Sequence, residues 1–167
     1  MPESLTNPAS VQDLLLYRLS RLLATGGGPI IRLCEGQLGI TWREWRVIAS
    51  LRPGVTLLSS ELAQHTQLDR ARTSRCITSL WAKGLIDRQA VPGDMRKASV
   101  CLTEKGREIH ATFFPVVVEL NTRLLRTLSV EQVAMLDSAL LAIQTEAEVM
   151  QVNALLPKAN RRQGGRR

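Results

Sequence analysis

The sequence has few of the residues from which catalytic and metal sites are built. It contains two histidines, His65 and His110, and has neither a glycine-rich phosphate loop nor the turn that holds a serine nucleophile. Cysteines, histidines and carboxylates are not grouped at metal-ligand spacing. We therefore expect a protein that is not an enzyme and that binds neither a metal nor a cofactor.

Cysteines and long apolar runs are also scarce. The three cysteines, Cys34, Cys76 and Cys101, are odd in number and widely spaced, which argues against a disulfide framework. No run of about 18 uncharged apolar residues exists, so no membrane span is indicated. The first ten residues contain an acid and two prolines where a signal peptide would have basic and apolar residues. We expect a single-domain cytoplasmic protein.

The chain has a net charge of +7, and acidic residues are few in two of its segments. Residues 158–167 contain five cations and no acid, which is typical of a solvated tail. Residues 68–97 contain seven cations and three acids. A basic segment inside a folded domain favours a nucleic-acid partner.

Local patterns predict helices in the first third of the chain. Apolar residues recur at helical spacing over 11–26, and Pro29 is suited to open a second helix. Thr41 followed by Glu44 is a capping box that predicts the start of a third helix. A short strand at 55–58 and a fourth helix, capped by Ser59 or Ser60, are expected next.

Residues 69–82 predict a helix with two unlike faces. Asp69 is the expected N-cap, and its carboxylate offsets part of the unfavourable interaction between nearby arginines and the helix dipole. Thr73, Ile77 and Leu80 fall on the inner side. The outer side combines arginines, hydroxyls and small residues: Ala71, Arg72, Arg75, Thr78, Ser79 and Ala82, with Arg70 at its leading flank. Such a face is suited to the DNA major groove, the alternative being an exposed face with no partner.

A β-hairpin with a basic tip is predicted directly after this helix. Strand character at 85–90, a turn at 92–94 and a returning strand at 98–102 place Arg96 and Lys97 near the tip. A helix-turn-helix followed by such a hairpin is a winged helix, in which the helix enters the major groove and the wing contacts phosphates or the minor groove.

Two long amphipathic helices are expected in the C-terminal third. The first spans about 103–126, and a capping box of Ser129 with Gln132 starts the second, which has a near-heptad apolar series. One small winged helix cannot cover these apolar stripes and that of the first helix. A homodimer is therefore expected, the alternative being a larger helical core within one chain.

Three segments in this order resemble the MarR family of winged-helix transcriptional regulators: LGITWREWRVIASL, SSELAQHTQLDRARTSRCITSLWAKGLIDR and GDMRKASVCLTEKGREI. The resemblance covers about residues 11–148. It implies a mainly α fold with a small β-hairpin wing and a dimer formed by the N- and C-terminal helices. The expected segments are a flexible N-terminus (1–10), dimerisation helices with the start of the DNA-binding lobe (11–52), the winged helix-turn-helix (53–103), C-terminal dimerisation helices (104–152) and a basic flexible tail (153–167).

The resemblance also implies a function and a set of contacts. The expected function is that of a nucleoid-associated repressor, which binds a near-palindromic double-stranded operator as a homodimer. The candidate DNA-binding residues are Arg70, Ala71, Arg72, Ser74, Arg75, Thr78, Arg96 and Lys97. By resemblance, Arg96 is the wing arginine that enters the minor groove, and Asp94 steadies the wing. The chain departs from the family pattern at Lys97, where a second acid is common, and at Ser99, where a basic residue is common.

Control by a small molecule is a further expectation from the resemblance, because family members often bind an aromatic or phenolic acid that releases the DNA. The candidate effector-binding residues are Tyr17, Arg18, Arg21, Arg32, Trp42 and Trp45. Each has an alternative role, Trp45 in the core and the arginines at a solvated rim. Two other readings remain open: a peroxide-responsive repressor that uses Cys34, and an architectural or protein-binding winged helix without an effector.

Overall fold

A computed structural model describes residues 5–91 and 94–153, excluding the side chains of 91, 94–97, 152 and 153. A 3₁₀ turn, Val11–Asp13, precedes the regular elements. These are α1 (Leu15–Gly26), α2 (Gly28–Gln37), α3 (Trp42–Ser50), β1 (Leu57–Leu58), α4 (Ser59–His65), α5 (Arg70–Ala82), β2 (Ile86–Val91), β3 (Asp94–Leu102), α6 (Glu104–Leu125) and α7 (Val130–Asn153). The predicted class, mainly α with a small β-hairpin wing, is confirmed.

The chain divides into two compact units, Met1–Thr122 and Arg123–Arg167. The first contains α1 to α5, the sheet and most of α6, and the second contains the end of α6 and α7. Across the described ranges, no helix combines the length and apolar character needed to cross a membrane.

Three antiparallel strands form one sheet in the order β1-β3-β2. β3 pairs with β1 through Leu57 opposite Val100, and with β2 from Ile86 opposite Leu102 to Val91 opposite Asp94. The returning strand therefore begins at Asp94, before the predicted 98–102. The antiparallel ladder continues toward the tip, with an irregularity between Ala90 and Val91.

Side-chain hydrogen bonds stabilise the first turns of α3 and α4, two helices of the DNA-binding lobe predicted from the sequence. Thr41 Oγ1 accepts the Glu44 N–H at 3.2 Å, and Glu44 Oε2 accepts the Thr41 N–H at 2.6 Å, which confirms the predicted capping box. The predicted Ser59 or Ser60 cap is wrong, because β1 runs directly into α4 and its N-cap is Leu58. Glu61 Oε2 accepts the Leu58 N–H at 2.6 Å, while the Ser59 hydroxyl donates to the Ala98 carbonyl of β3.

The hydrophobic core lies among α3, α4, α5 and the sheet. Ile48, Leu62, Leu80 and Val100 are fully buried there, and Phe113 of α6 packs edge-on against Trp45 with ring centroids 4.7 Å apart. By contrast, no residue of α1 is buried. The core therefore fixes α5 and the hairpin, and α1 is left with an exposed apolar face.

Candidate nucleic-acid interface

Helix α5 has the two faces predicted for it. Thr73, Cys76, Ile77 and Leu80 are buried against the core. The six predicted DNA-binding residues of this helix all have exposed side chains: Arg70, Ala71, Arg72, Ser74, Arg75 and Thr78. The structure thus brings the helical part of the predicted site together on one solvent-facing surface.

The start of α5 is held by side chains of the turn before it. Asp69 Oδ1 accepts the Arg72 N–H at 2.8 Å, which confirms Asp69 as the N-cap. Its other carboxylate oxygen lies 3.4 Å from Arg72 Nε, an exposed pair that anchors the arginine without burying it. In the turn, Gln67 has a left-handed backbone (φ 51°), and the Thr66 carbonyl accepts a hydrogen bond from Arg46 of α3. These contacts fix α5 relative to α3 and α4.

The end of α5 is tied to α3 by an ion pair between the buried Glu44 and the half-buried Lys83. Lys83 Nζ donates to both carboxylate oxygens of Glu44, at 2.9 and 3.0 Å, and to the Gly39 carbonyl at 2.9 Å. Glu44 is only 3% exposed. Burial acts to raise the pKa of Glu44, but hydrogen bonds from the Ser79 hydroxyl, the Thr41 N–H and Lys83, together with the lysine charge, lower it overall. Glu44 thus stays ionised and joins the starting turn of α3 to α5.

Two open clefts flank α5. The first, of about 370 Å³, lies between α5, the start of α4 and the sheet, and Ser59, Ser60, Arg70, Ser74 and Arg88 are among its lining residues. The second, of about 460 Å³, lies between α5 and the start of α3, and Arg43, Arg72, Arg75 and Ser79 contribute to it. The sequence did not predict that Arg43 and Arg88 lie beside α5, because no local pattern reveals which residues of α3 and β2 border that helix.

The predicted wing residues Asp94, Arg96 and Lys97 belong to β3, which pairs with β2. Their side chains lie outside the described residues, so the roles assigned to them by resemblance stay predictions.

The six candidate effector-binding residues have different environments. Tyr17, Arg21 and Arg32 are exposed on α1 and α2. Arg18 is also exposed but donates to Asp13 at 3.3 Å, whereas Trp42 is half-buried. Trp45 is 2% exposed and packs in the core. None of the six lines either cleft beside α5.

Cys34 is fully buried in α2. Desolvation, followed by the nearby charge of Glu35, raises the pKa of its thiol to about 11. Because the thiolate is the form that reacts with peroxides, this environment disfavours the redox reading. Cys76 is also buried, and Cys101 is half-buried. Within the described ranges, no group of three or more Cys, His, Asp or Glu side chains could hold a metal ion.

The arrangement of three helices, with α5 exposed and a hairpin packed beside it, defines a winged helix. The sequence profile of the MarR family matches residues 38–97, which run from the end of α2 into the wing. This match covers about a third of the chain, and the chain as a whole has the fold of solved MarR family transcriptional regulators.

Solved structures share this fold over most of the chain. A MarR family regulator from Silicibacter pomeroyi DSS-3 is 26% identical, with a TM-score of 0.69 over 81% of this chain and 98% of that one. MepR of S. aureus, in a structure described as a DNA complex, is 20% identical, with a TM-score of 0.71 over 80% and 99%. The reduced form of MarR from E. coli is 25% identical, with a TM-score of 0.62 over 78% and 96%. None of the curated proteins compared with the sequence matches it.

Proposed function

We propose that this protein is a sequence-specific DNA-binding repressor that inserts α5 into the major groove. The observation that carries the proposal is the exposed face of α5, where three arginines and two hydroxyl residues surround the small Ala71. An α-helix fits the major groove, and a small residue at the contact lets its backbone approach the bases. The MepR structure described as a DNA complex has the same fold and supports this reading.

Each residue of the face has a proposed role. Arg72 and Arg75 read base edges, because a guanidinium can donate two hydrogen bonds to one guanine. Arg70, Ser74 and Thr78 divide their contacts between bases and phosphates. The wing adds Arg96 in the minor groove and Lys97 on the backbone, with Asp94 supporting them.

The binding unit is proposed to be a homodimer. Leu16, Leu22 and Leu23 of α1 are exposed, and so are Leu140 and Leu141 of α7. Large exposed apolar surfaces mark interaction sites in soluble proteins. A two-fold dimer requires a near-palindromic operator, with half-sites about one helical turn, or roughly 10 base pairs, apart. Occupying such a site in a promoter would block transcription.

Release by a small aromatic or phenolic acid completes the proposal. Such a ligand acts by binding one spacing of the two recognition helices better than the other. Tyr17, Arg21 and Arg32 offer exposed aromatic and cationic groups on α1 and α2. Tryptophan fluorescence titrated with aromatic acids tests this part, and a compound that releases DNA without any fluorescence change would argue against these residues.

Selection of bound duplexes from random DNA by the full chain tests the function itself. We expect enrichment of a near-palindrome whose affinity falls steeply with salt. Binding that depends on salt but enriches no sequence would instead favour an architectural DNA binder. The absence of any DNA binding would favour a protein-binding winged helix.

A further inference from the structure

The cleft between α3 and α5 gathers positive charge from two different helices. Arg43 enters it from the first turn of α3, and Arg72 and Arg75 enter it from α5. All three side chains are exposed. Since like charges repel across a shared cleft, this arrangement calls for an anion from outside the chain.

The carboxylates at the cleft leave much of this charge uncompensated. Glu44 is buried and already paired with Lys83. Asp69 caps α5 and contacts Arg72. Within the ranges that the structure describes, no carboxylate lies within ion-pair distance of Arg43 or Arg75.

The helix dipoles add to the positive potential. Arg43 is the second residue of α3 and Arg72 the third of α5, so each lies in a first turn, where the helix dipole disfavours a cation. The Thr41–Glu44 capping box and the Lys83 ion pair fix the start of α3 beside α5. The cleft therefore has a defined geometry as well as a charge.

We propose that this cleft binds a phosphate of the DNA backbone and that Arg43 is a DNA-contacting residue. The inference rests on the proposed function, because it requires α5 to lie in the major groove. That groove is about 12 Å wide and an α-helix with its side chains about 10–12 Å across, so the flanks of the helix meet the phosphates at the groove walls. The phosphate supplies the anion that Arg43 lacks, while Arg72 and Arg75 extend from the same cleft to base edges. Arg43 contributes affinity and register but no base readout.

The test compares Arg43→Ala with Arg52→Ala in the full chain. Both variants remove one exposed arginine, but Arg52 follows the last turn of α3, roughly 13 Å along the axis from Arg43. Affinities are measured by fluorescence anisotropy between about 50 and 300 mM salt, on a duplex selected by the wild-type chain and on a shuffled duplex. Thermal unfolding is measured in parallel.

For Arg43→Ala we expect weaker binding to both duplexes by a similar factor, and a salt slope smaller by about 0.9 than that of the wild-type chain. Its unfolding temperature should not fall, since the substitution relieves repulsion rather than removing a contact. Arg43→Lys should restore the salt slope. Arg52→Ala should keep the wild-type slope.

Two results would overturn the proposal, and they are distinguishable. If the wild-type chain selects a sequence and Arg43→Ala matches Arg52→Ala in slope and affinity, Arg43 does not contact DNA while the proposed function stands. If the wild-type chain selects no sequence, the proposed function fails, and the contact fails with it.

Discussion

At the scale of single residues, exposure separates the side chains of α5 that we propose to read DNA from those that pack in the core. Thr73 and Ile77 are buried, while Arg72 and Arg75 face solvent. This division was predictable from the sequence, because an advance of about 100° per residue fixes which positions share a face. Arg43 and Arg88 were not predictable as site residues, because their places beside α5 depend on tertiary packing.

Arg75→Ala should weaken operator binding by about 1–3 kcal/mol and relax selectivity at one base position, because a bidentate base contact is lost. Affinities for the operator and its single-base variants provide the measurement. Arg123→Ala, which removes an exposed arginine from α6, is the matched control. Unchanged selectivity in Arg75→Ala would remove Arg75 from the reading face.

Cys34 should be the slowest thiol of the folded chain to react. Its burial and its pKa of about 11 keep the thiolate fraction low near neutral pH. Alkylation by iodoacetamide, mapped by mass spectrometry, should label half-buried Cys101 first. Peroxide should affect DNA binding equally in Cys34→Ala and the wild-type chain. Preferential labelling of Cys34 would support a peroxide-responsive repressor. So would DNA binding by Cys34→Ala that resists peroxide better than that of the wild-type chain.

At the scale of elements, the contacts that place α5 form across long stretches of sequence. The capping residues Thr41 and Asp69 were predicted because a cap is a local pattern. The link from Glu44 to Lys83 spans 39 positions and has no local signal. The cap predicted at Ser59 or Ser60 was wrong for a related reason, since the pairing of β1 with β3 decides where α4 begins.

Glu44→Gln should destabilise the fold by about 1–3 kcal/mol at pH 7, because it removes the charged partner of Lys83 while keeping the capping acceptor. The pKa of Glu44 is lowered in the folded chain, so its ionised form stabilises the fold above the ordinary value of 4.5. That contribution disappears as the pH falls through the lowered pKa. The free energies of unfolding of Glu44→Gln and of the wild-type chain, measured in urea, should therefore become equal at acidic pH.

The exposed Glu108→Gln serves as the control for this measurement and should change stability by no more than about 0.5 kcal/mol at pH 7. A destabilisation by Glu44→Gln that stays the same at acidic pH would show that the charge of Glu44 does not contribute.

Gly106→Ala should disrupt the packing of α6 on the sheet. An added Cβ would overlap the Leu85 carbonyl oxygen, which belongs to the backbone and cannot rotate away. We expect a loss of about 1–3 kcal/mol in urea unfolding. Gly36→Ala in α2 is the matched control, because its Cβ would meet nothing within 4 Å. This substitution should stabilise the helix by about 0.5–1 kcal/mol. Equal stability of the two variants would contradict the close contact.

At the scale of the whole molecule, the proposed function requires two chains. Apolar side chains remain exposed on α1 and, separately, on α7. The apolar stripes were predictable from the spacing of their residues. The partner that packs against them was not, because it lies outside the single chain.

Light scattering should give twice the 18.5 kDa mass of the chain at micromolar concentration. Leu140→Glu should lower that mass, whereas Ser138→Glu, about 200° away around α7, should not. A monomeric wild-type chain would contradict the dimer.

The proposed function depends above all on sequence recognition by the arginine face of α5. Its most direct test is the ratio of affinities for the selected duplex and a shuffled duplex, measured at physiological salt for the wild-type chain and for Arg72→Ala with Arg75→Ala. We predict a ratio of at least about 10³ for the wild-type chain. For the double variant the ratio should approach one. This variant should still bind both duplexes, with an affinity that depends on salt. A wild-type ratio near one, or a double variant that retains the wild-type ratio, would show that this face does not read sequence.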